Sequence, residues 1–211
     1  IGDSKANEIY HELRRLRDHA RARGILIVGD APIFVAHHSA DVWANAELFQ
    51  LDARGETTVV AGVPPDYFSS TGQRWGNPLY RWDALAADGF AWWRARMTHL
   101  LAAFDVVRLD HFRGFESYWE IAASEPTAVA GCWRAGPGQA LFDALASTHP
   151  RDDSAAALPI IAEDLGIITP AVTALRQACG FPGMRVMQFA FGDTAANPYL
   201  PHNFEPQTVA Y

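Results

Sequence analysis

FDVVRLDHFRG, residues 104–114, is the stretch that decides the fold. Its Val106-Val107-Arg108-Leu109-Asp110 portion is a short β-branched and aliphatic run with two charged residues spaced two apart. Arg108 and Asp110 therefore share one face of a strand. Strand character ends at once, in His111, Arg113 and Gly114. An arginine and an aspartate aimed the same way at a strand's end resemble the rim of an active site. A second run of the same kind, Pro159-Ile160-Ile161-Ala162-Glu163-Asp164-Leu165-Gly166, also closes on carboxylates and a glycine. The pattern predicts two adjacent strands that deliver one carboxylate each.

Working outward, Asp3-Ser4 is placed to cap a helix in which Ile9, Leu13, Leu16 and Ala20 recur at helical spacing until Gly24 stops it. Arg14, Arg15, Arg17 and Arg21 form its basic outer face. Residues 25–30, ILIVGD, follow as a buried strand that again ends in an aspartate. From His37 to Trp82 the periodicity fails, and glycines, prolines and aromatics crowd together. So long and aromatic a loop is expected to be functional rather than disordered. Phe90, Trp93, Met97 and Leu100 restore helical spacing ahead of the central strand, and a second irregular stretch, residues 116–138, precedes a short helix around residues 140–146. Thr169 caps a further helix, with Pro170 at its first position and Gly180 past its end. Residues 184–191 read as a strand and residues 208–211 as the start of one more.

Helices and strands in alternation imply right-handed βαβ units on a parallel sheet, an α/β fold. No Gly-rich phosphate fingerprint follows any strand, which weakens a doubly wound dinucleotide fold. Charged groups at the ends of several strands favour a (β/α)8 barrel, whose chemistry gathers at its C-terminal rim. Only four strands and the beginning of a fifth are legible. Residues 1–211 are therefore expected to be the central portion of one catalytic (β/α)8 domain, with barrel ends missing on both sides.

The 211 residues are 49% hydrophobic and 19% charged, the composition of a folded domain. A net charge of -7 with no basic block argues against nucleic-acid or anionic-membrane partners and suits a neutral substrate. Cys132 and Cys179 make no disulfide framework or metal-ligand spacing, so a reducing cytoplasm is the expected compartment. No apolar run approaches the roughly 18 to 20 residues of a membrane span, and no signal-peptide pattern opens the chain. The first residue is Ile1, and a preceding segment is expected.

Neighbouring parallel strands lie about 4.8 Å apart. Asp110 and Glu163 at equivalent strand ends would then stand roughly 5 to 5.5 Å from each other, the separation of retaining glycoside chemistry. Arg108 would pair with Asp110, and Glu163, close to that charge and partly desolvated, would hold its proton. The structural alternative is an ordinary Arg/Asp salt bridge beside a helix-capping Glu-Asp. Asp30 is a weaker case, since an aspartate after Gly29 can cap a turn. His111, His37 and His38 lack metal-ligand spacing; a hydrogen-bonding histidine at a site rim is the better reading, and no metal or organic cofactor is implied. Tyr67, Phe68, Trp75, Tyr80 and Trp82, interleaved with Asp66, Gln73, Arg74 and Asn77, combine flat apolar faces with fixed hydrogen-bonding groups, as sugar rings require. Tyr80 and Trp82 are expected to pack the loop instead.

GDAPIFV at 29–35, VVAGVPPDYFSSTGQRWGNPLYRW at 59–82, VRLDHFRGFESYWEI at 107–121, IAEDLG at 161–166 and PGMRVMQFAF at 182–191 resemble the amylomaltases. These are 4-alpha-glucanotransferases, or disproportionating enzymes, of the α-amylase-like glycoside hydrolase superfamily. The resemblance implies a (β/α)8 barrel with inserted subdomains, acting on maltooligosaccharides or starch- and glycogen-type α-glucans. It matches Asp110 to the nucleophile, Glu163 to the general acid/base, and Arg108 and His111 to the residues flanking the nucleophile. Trp75 falls on the acceptor-side stacking tryptophan, Asp66 and Tyr67 in the mobile loop that covers the sugars, Asp193 on a sugar-binding aspartate, and Asp30 on the aspartate of the first motif; Asn77, from the aromatic stretch, is counted with the substrate-binding residues. The family's third catalytic aspartate is expected beyond Tyr211, so that residues 1–211 alone are expected to be inactive. The alternatives are an α-glucan hydrolase and a non-catalytic carbohydrate-binding fragment.

Overall fold

The computed structural model describes residues 2–67, 69–149, 158–191 and 194–211. In chain order, the first half contains α1 (Gly2–Arg21), β1 (Val28–Pro32), α2 (Ala40–Ala44), β2 (Val59–Val63), β3 (Gln73–Pro78), α3 (Trp82–Ala87) and α4 (Ala91–Ala103). The second contains β4 (Val106–Asp110), β5 (Ser117–Ala122), β6 (Gly131–Ala135), α5 (Gln139–Thr148), β7 (Ile160–Ala162), α6 (Pro170–Ala178), β8 (Gly183–Arg185) and β9 (Thr208–Ala210).

β1, β4 and β7 form a parallel sheet in which Asp30 lies opposite Arg108, Pro32 opposite Asp110, and Leu109 opposite Ala162. The Ala162 amide donates to the Pro182 carbonyl at 2.9 Å, which joins β7 to the parallel pair β8 and β9. Strand order thus follows chain order from β1 to β9 without the reversal that marks a doubly wound sheet. The five strands are an arc of a β/α barrel. Val107 and Leu109 of β4 are fully buried beneath α4, which contributes Trp93 and Met97 to the same core. A second knot of rings, Phe112, Phe142 and Phe181, joins the turn after β4 to α5 and to the entry of β8. Burying a ring of this size stabilises the fold by about 1.5–3 kcal/mol.

The long irregular regions contain strands: β3, β2, β5 and β6 make a four-stranded antiparallel sheet, inserted between the barrel elements. Its strands are short and interrupted by Gly62, Gly76 and Pro78, with a bulge between Val60 and Gly62, so no alternation announces them. A Cβ at Gly62 would come within 2.2 Å of the Gln73 carbonyl oxygen, so the close approach of β2 to β3 requires glycine there. The strand expected from Ile25 begins at Val28; Ile25, Leu26 and Val28 are exposed, and among the described residues β1 pairs with β4 alone. The proposed 184–191 strand ends at Arg185, and Met187–Ala190 turns as a 3-10 helix.

The expected cap at Asp3-Ser4 falls within the span of α1, which begins at Gly2. Its apolar stripe is largely open, with Ile9 and Leu16 exposed, whereas Arg17 donates to the Ala102 carbonyl at 2.6 Å and Arg21 pairs with Asp105. Two residues of the expected outer basic face therefore fasten the helix to the end of α4 and the entry of β4. As expected, Thr169 caps α6, its hydroxyl accepting from the Val172 amide, and Tyr80 packs in the core, its hydroxyl donating to the Ile33 carbonyl at 2.8 Å. Trp82 stacks on Trp93. Among the described residues no helix is long and apolar enough to cross a membrane.

Candidate active site

The parallel register places the charged residues of β1, β4 and β7 at one end of the sheet. Arg108 bridges two carboxylates from neighbouring strands: Nη1 donates to Asp30 Oδ1 at 2.7 Å and Nη2 lies 2.7 Å from Asp110 Oδ1. Burial pulls the guanidinium's pKa down, but the bond to Asp30 and the charges of Asp110, Asp30 and Glu163 outweigh it and hold the pKa above the usual arginine value. The arginine is thereby fixed in place by two partners rather than one, and it engages only one oxygen of Asp110.

Glu163 follows β7 directly. Its own amide donates to Leu109 at 2.9 Å, continuing the ladder by one residue beside Asp110. The side chain accepts from two backbone amides, His111 at 2.8 Å on Oε2 and Leu165 at 2.9 Å on Oε1. Burial raises its pKa above the ordinary carboxylate range, and the charge of Asp110 acts in the same direction; the two amide bonds and Arg108 pull the other way without cancelling the rise. The structure therefore provides one arginine-paired carboxylate and, beside it, a carboxyl that keeps its proton more readily.

His111 adopts a left-handed backbone, φ 50° and ψ 52°, a conformation costly for a residue with a Cβ and concentrated at functional sites. The turn this produces aims its amide at Glu163. Burial, with a contribution from the charge of Arg113, lowers the imidazole pKa to about 4, so the ring is neutral near pH 7. The ring packs against Trp75 in a T-shaped arrangement, 4.8 Å between centroids and 86° between planes. Trp75, on β3, is 38% exposed, and its indole donates to Gln73 Oε1 at 3.1 Å. The inserted sheet thus brings a partly open aromatic ring to the carboxylates.

Asp30, Arg108, Asp110, Glu163, His111 and Trp75 are joined in one contact chain. Asp66 and Tyr67 lie apart from it on the β2–β3 connection, where Asp66 Oδ1 accepts from the Ser69 amide at 2.8 Å and Tyr67 is 98% exposed. Asn77 spans the carbonyls of Phe34 and Val35 with its amide nitrogen, at 3.4 and 3.1 Å, and so clips β3 to the segment after β1. Asp193 lies outside the described residues. His37 is engaged with the Gly55 carbonyl at 2.8 Å, and no group of three or more His, Cys, Asp or Glu side chains disposed for a metal occurs among the described residues.

The helix-capping reading of Glu163-Asp164 does not hold, because Asp164 is buried and turned the other way. It accepts from the Met184 amide at 2.7 Å and lies 3.2 Å from both Arg185 and Arg176. Its partners come from later elements, so nothing in its own neighbourhood marked it. Arg113, buried in the turn after β4, was legible only as part of the charged run.

The family model described as 4-alpha-glucanotransferase matches residues 7–211. The chain belongs to this family. A 4-alpha-glucanotransferase of Thermus thermophilus is 58% identical over 189 residues, covering 90% of the chain and 37% of the relative. The chloroplastic or amyloplastic 4-alpha-glucanotransferase of Solanum tuberosum is 50% identical over 198 residues, covering 94% and 33%. Among solved structures, an amylomaltase from Streptococcus agalactiae in complex with acarbose superposes with a TM-score of 0.89 at 42% identity, over 96% of the chain and 40% of that protein. The chain therefore spans about two-fifths or less of the length of these relatives. The match also takes in most of α1, which the sequence motifs left out of the resemblance.

Proposed function

We propose that this chain carries the nucleophile and the general acid/base of a retaining 4-alpha-glucanotransferase, which moves α-1,4-glucan segments between maltooligosaccharides. The observation that carries this reading is the pairing of Asp110, bound through Oδ1 to Arg108, with Glu163, half-buried and raised in pKa at the end of the adjoining strand. Asp110 Oδ2 attacks the anomeric carbon while the bond to the departing chain breaks, and the Glu163 proton passes to the departing oxygen. The acceptor hydroxyl then returns a proton to Glu163 as its oxygen replaces Asp110 at the same carbon. Two inversions give net retention. Trp75 offers a stacking face for a sugar, and the connection carrying Asp66 and Tyr67 serves to shield the covalent intermediate from water. A cytoplasmic setting is proposed from the two free cysteines, Cys132 and Cys179.

Incubation of the full-length protein with maltotriose tests the reading. A ladder of longer oligosaccharides with free glucose is expected; maltose and glucose alone would identify a hydrolase, and binding without turnover a carbohydrate-binding protein.

The raised pKa of Glu163 sets the alkaline side of the pH profile. Because the first step needs the protonated form, kcat/KM for maltotriose is expected to fall as pH rises through a value above the ordinary glutamate range. The sign for stability is the same. Between the unfolded and folded pKa values the folded state binds more protons, so Glu163 contributes less stability as pH rises through that window. An alkaline limb at an ordinary glutamate pKa would contradict the assignment.

A further inference from the structure

The turn after β4 grips the acid/base segment at two places. At the near end, the His111 amide holds the Glu163 side chain and the Phe112 amide donates to the Glu163 carbonyl at 2.9 Å. At the far end, Arg113 Nη1 donates to the carbonyl of Ile167 at 2.5 Å. No helix or strand stiffens the chain between β7 and α6, so these bonds fix its course.

Arg113 is 7% exposed, yet no carboxylate lies in ion-pair range of it among the described residues. What covers it is Trp133 of β6, whose ring centroid is 3.9 Å from the guanidinium carbon. Trp133 is held in turn by Trp119, its cross-strand neighbour on β5, with ring centroids 5.2 Å apart. A planar cation between an aromatic face and a carbonyl is held in orientation as well as position. The inserted sheet supplies the face; the barrel supplies the carbonyl.

We propose that Arg113, clamped under Trp133, is a positioning residue for the general acid/base: it fixes the segment that carries Glu163 and ties that position to the inserted sheet. The inference rests on Glu163 being the acid of a glucan transfer. A displacement of about 1 Å at such a group costs about 100-fold in rate.

The test compares two donors in the full-length protein. Maltotriose needs its leaving oxygen protonated, whereas α-maltosyl fluoride releases fluoride without the acid. For both, kcat/KM reports on formation of the glycosyl-enzyme. Arg113→Met is expected to lower kcat/KM about 100-fold with maltotriose and less than about 3-fold with the fluoride. Arg113→Lys should recover part of the loss. Trp133→Ala should repeat the pattern at about 10-fold, and Trp133→Phe should restore most of it. Equal losses with both donors would show a merely structural role and overturn the proposal, as would unchanged kinetics with maltotriose. Should the unsubstituted protein turn over neither donor, the transferase reading falls separately. The clamp is then decided by amide hydrogen exchange at Leu165: faster exchange in Arg113→Met supports it and unchanged exchange overturns it.

Discussion

Replacing Asp110 by asparagine is expected to lower glucan transfer by at least about 10,000-fold in the full-length protein, with folding unaffected. The amide has the shape of the carboxylate and keeps an oxygen for Arg108, which also retains its 2.7 Å bond to Asp30. Asp110 is partly exposed and lies outside the apolar core, so no cavity opens. On the proposed mechanism, what disappears is the attacking oxygen, and with it the covalent intermediate. Initial rates with maltotriose, alongside the thermal transition, check both halves. Transfer within about tenfold of the original would remove Asp110 from the nucleophile's role, and a collapsed thermal transition would show its pairing with Arg108 to be a folding contact instead.

The contrast between what was and was not legible follows from where each residue finds its partners. Asp110, Arg108 and Glu163 could be read because they end apolar runs and their neighbours are set by parallel pairing, a regular operation. Helices α4 and α6 could be read from their spacing, and α6 also from its local cap. The antiparallel insertion was not legible, because β2 must find β5, beyond α3, α4 and β4, before any of its alternation has meaning. The run at 184–191 failed for a different reason: a short apolar segment fits a strand and a helical turn equally, and only the first three residues of 183–190 pair with β9. The backbone turn at His111, which aims an amide at Glu163, has no sequence signature either, since a histidine seldom adopts a left-handed conformation.

Asp164→Ala is expected to reduce the unfolding free energy of the full-length protein by about 3 kcal/mol, the low end of what breaking a buried ion pair costs. Arg176 is 2% exposed and cannot reach solvent in place of its partner. Its Nε lies 3.2 Å from Asp164 Oδ2, in charge contact but out of line for a hydrogen bond, while Nη1 donates to the Phe181 carbonyl at 2.9 Å and Nη2 to Glu205 at 2.5 Å. Glu205 therefore offsets part of the loss, which places the cost at the lower limit. The substitution would also strand the Met184 amide and one bond of Arg185. Asp164→Asn, which keeps an acceptor for that amide and removes only the charge, should cost roughly half as much. Urea unfolding of the two variants separates these terms. The site is closed to remodelling from the other side as well: a Cβ at Gly183 would stand 2.4 Å from Asp164 Oδ2, so Gly183→Ala should be destabilising in the same assay. A loss below about 1 kcal/mol in Asp164→Ala would mean that Glu205 alone neutralises Arg176. A larger loss would show that Asp164 fastens the end of β7 to α6 and β8, and so holds Glu163, the proposed acid/base, in place beside Asp110.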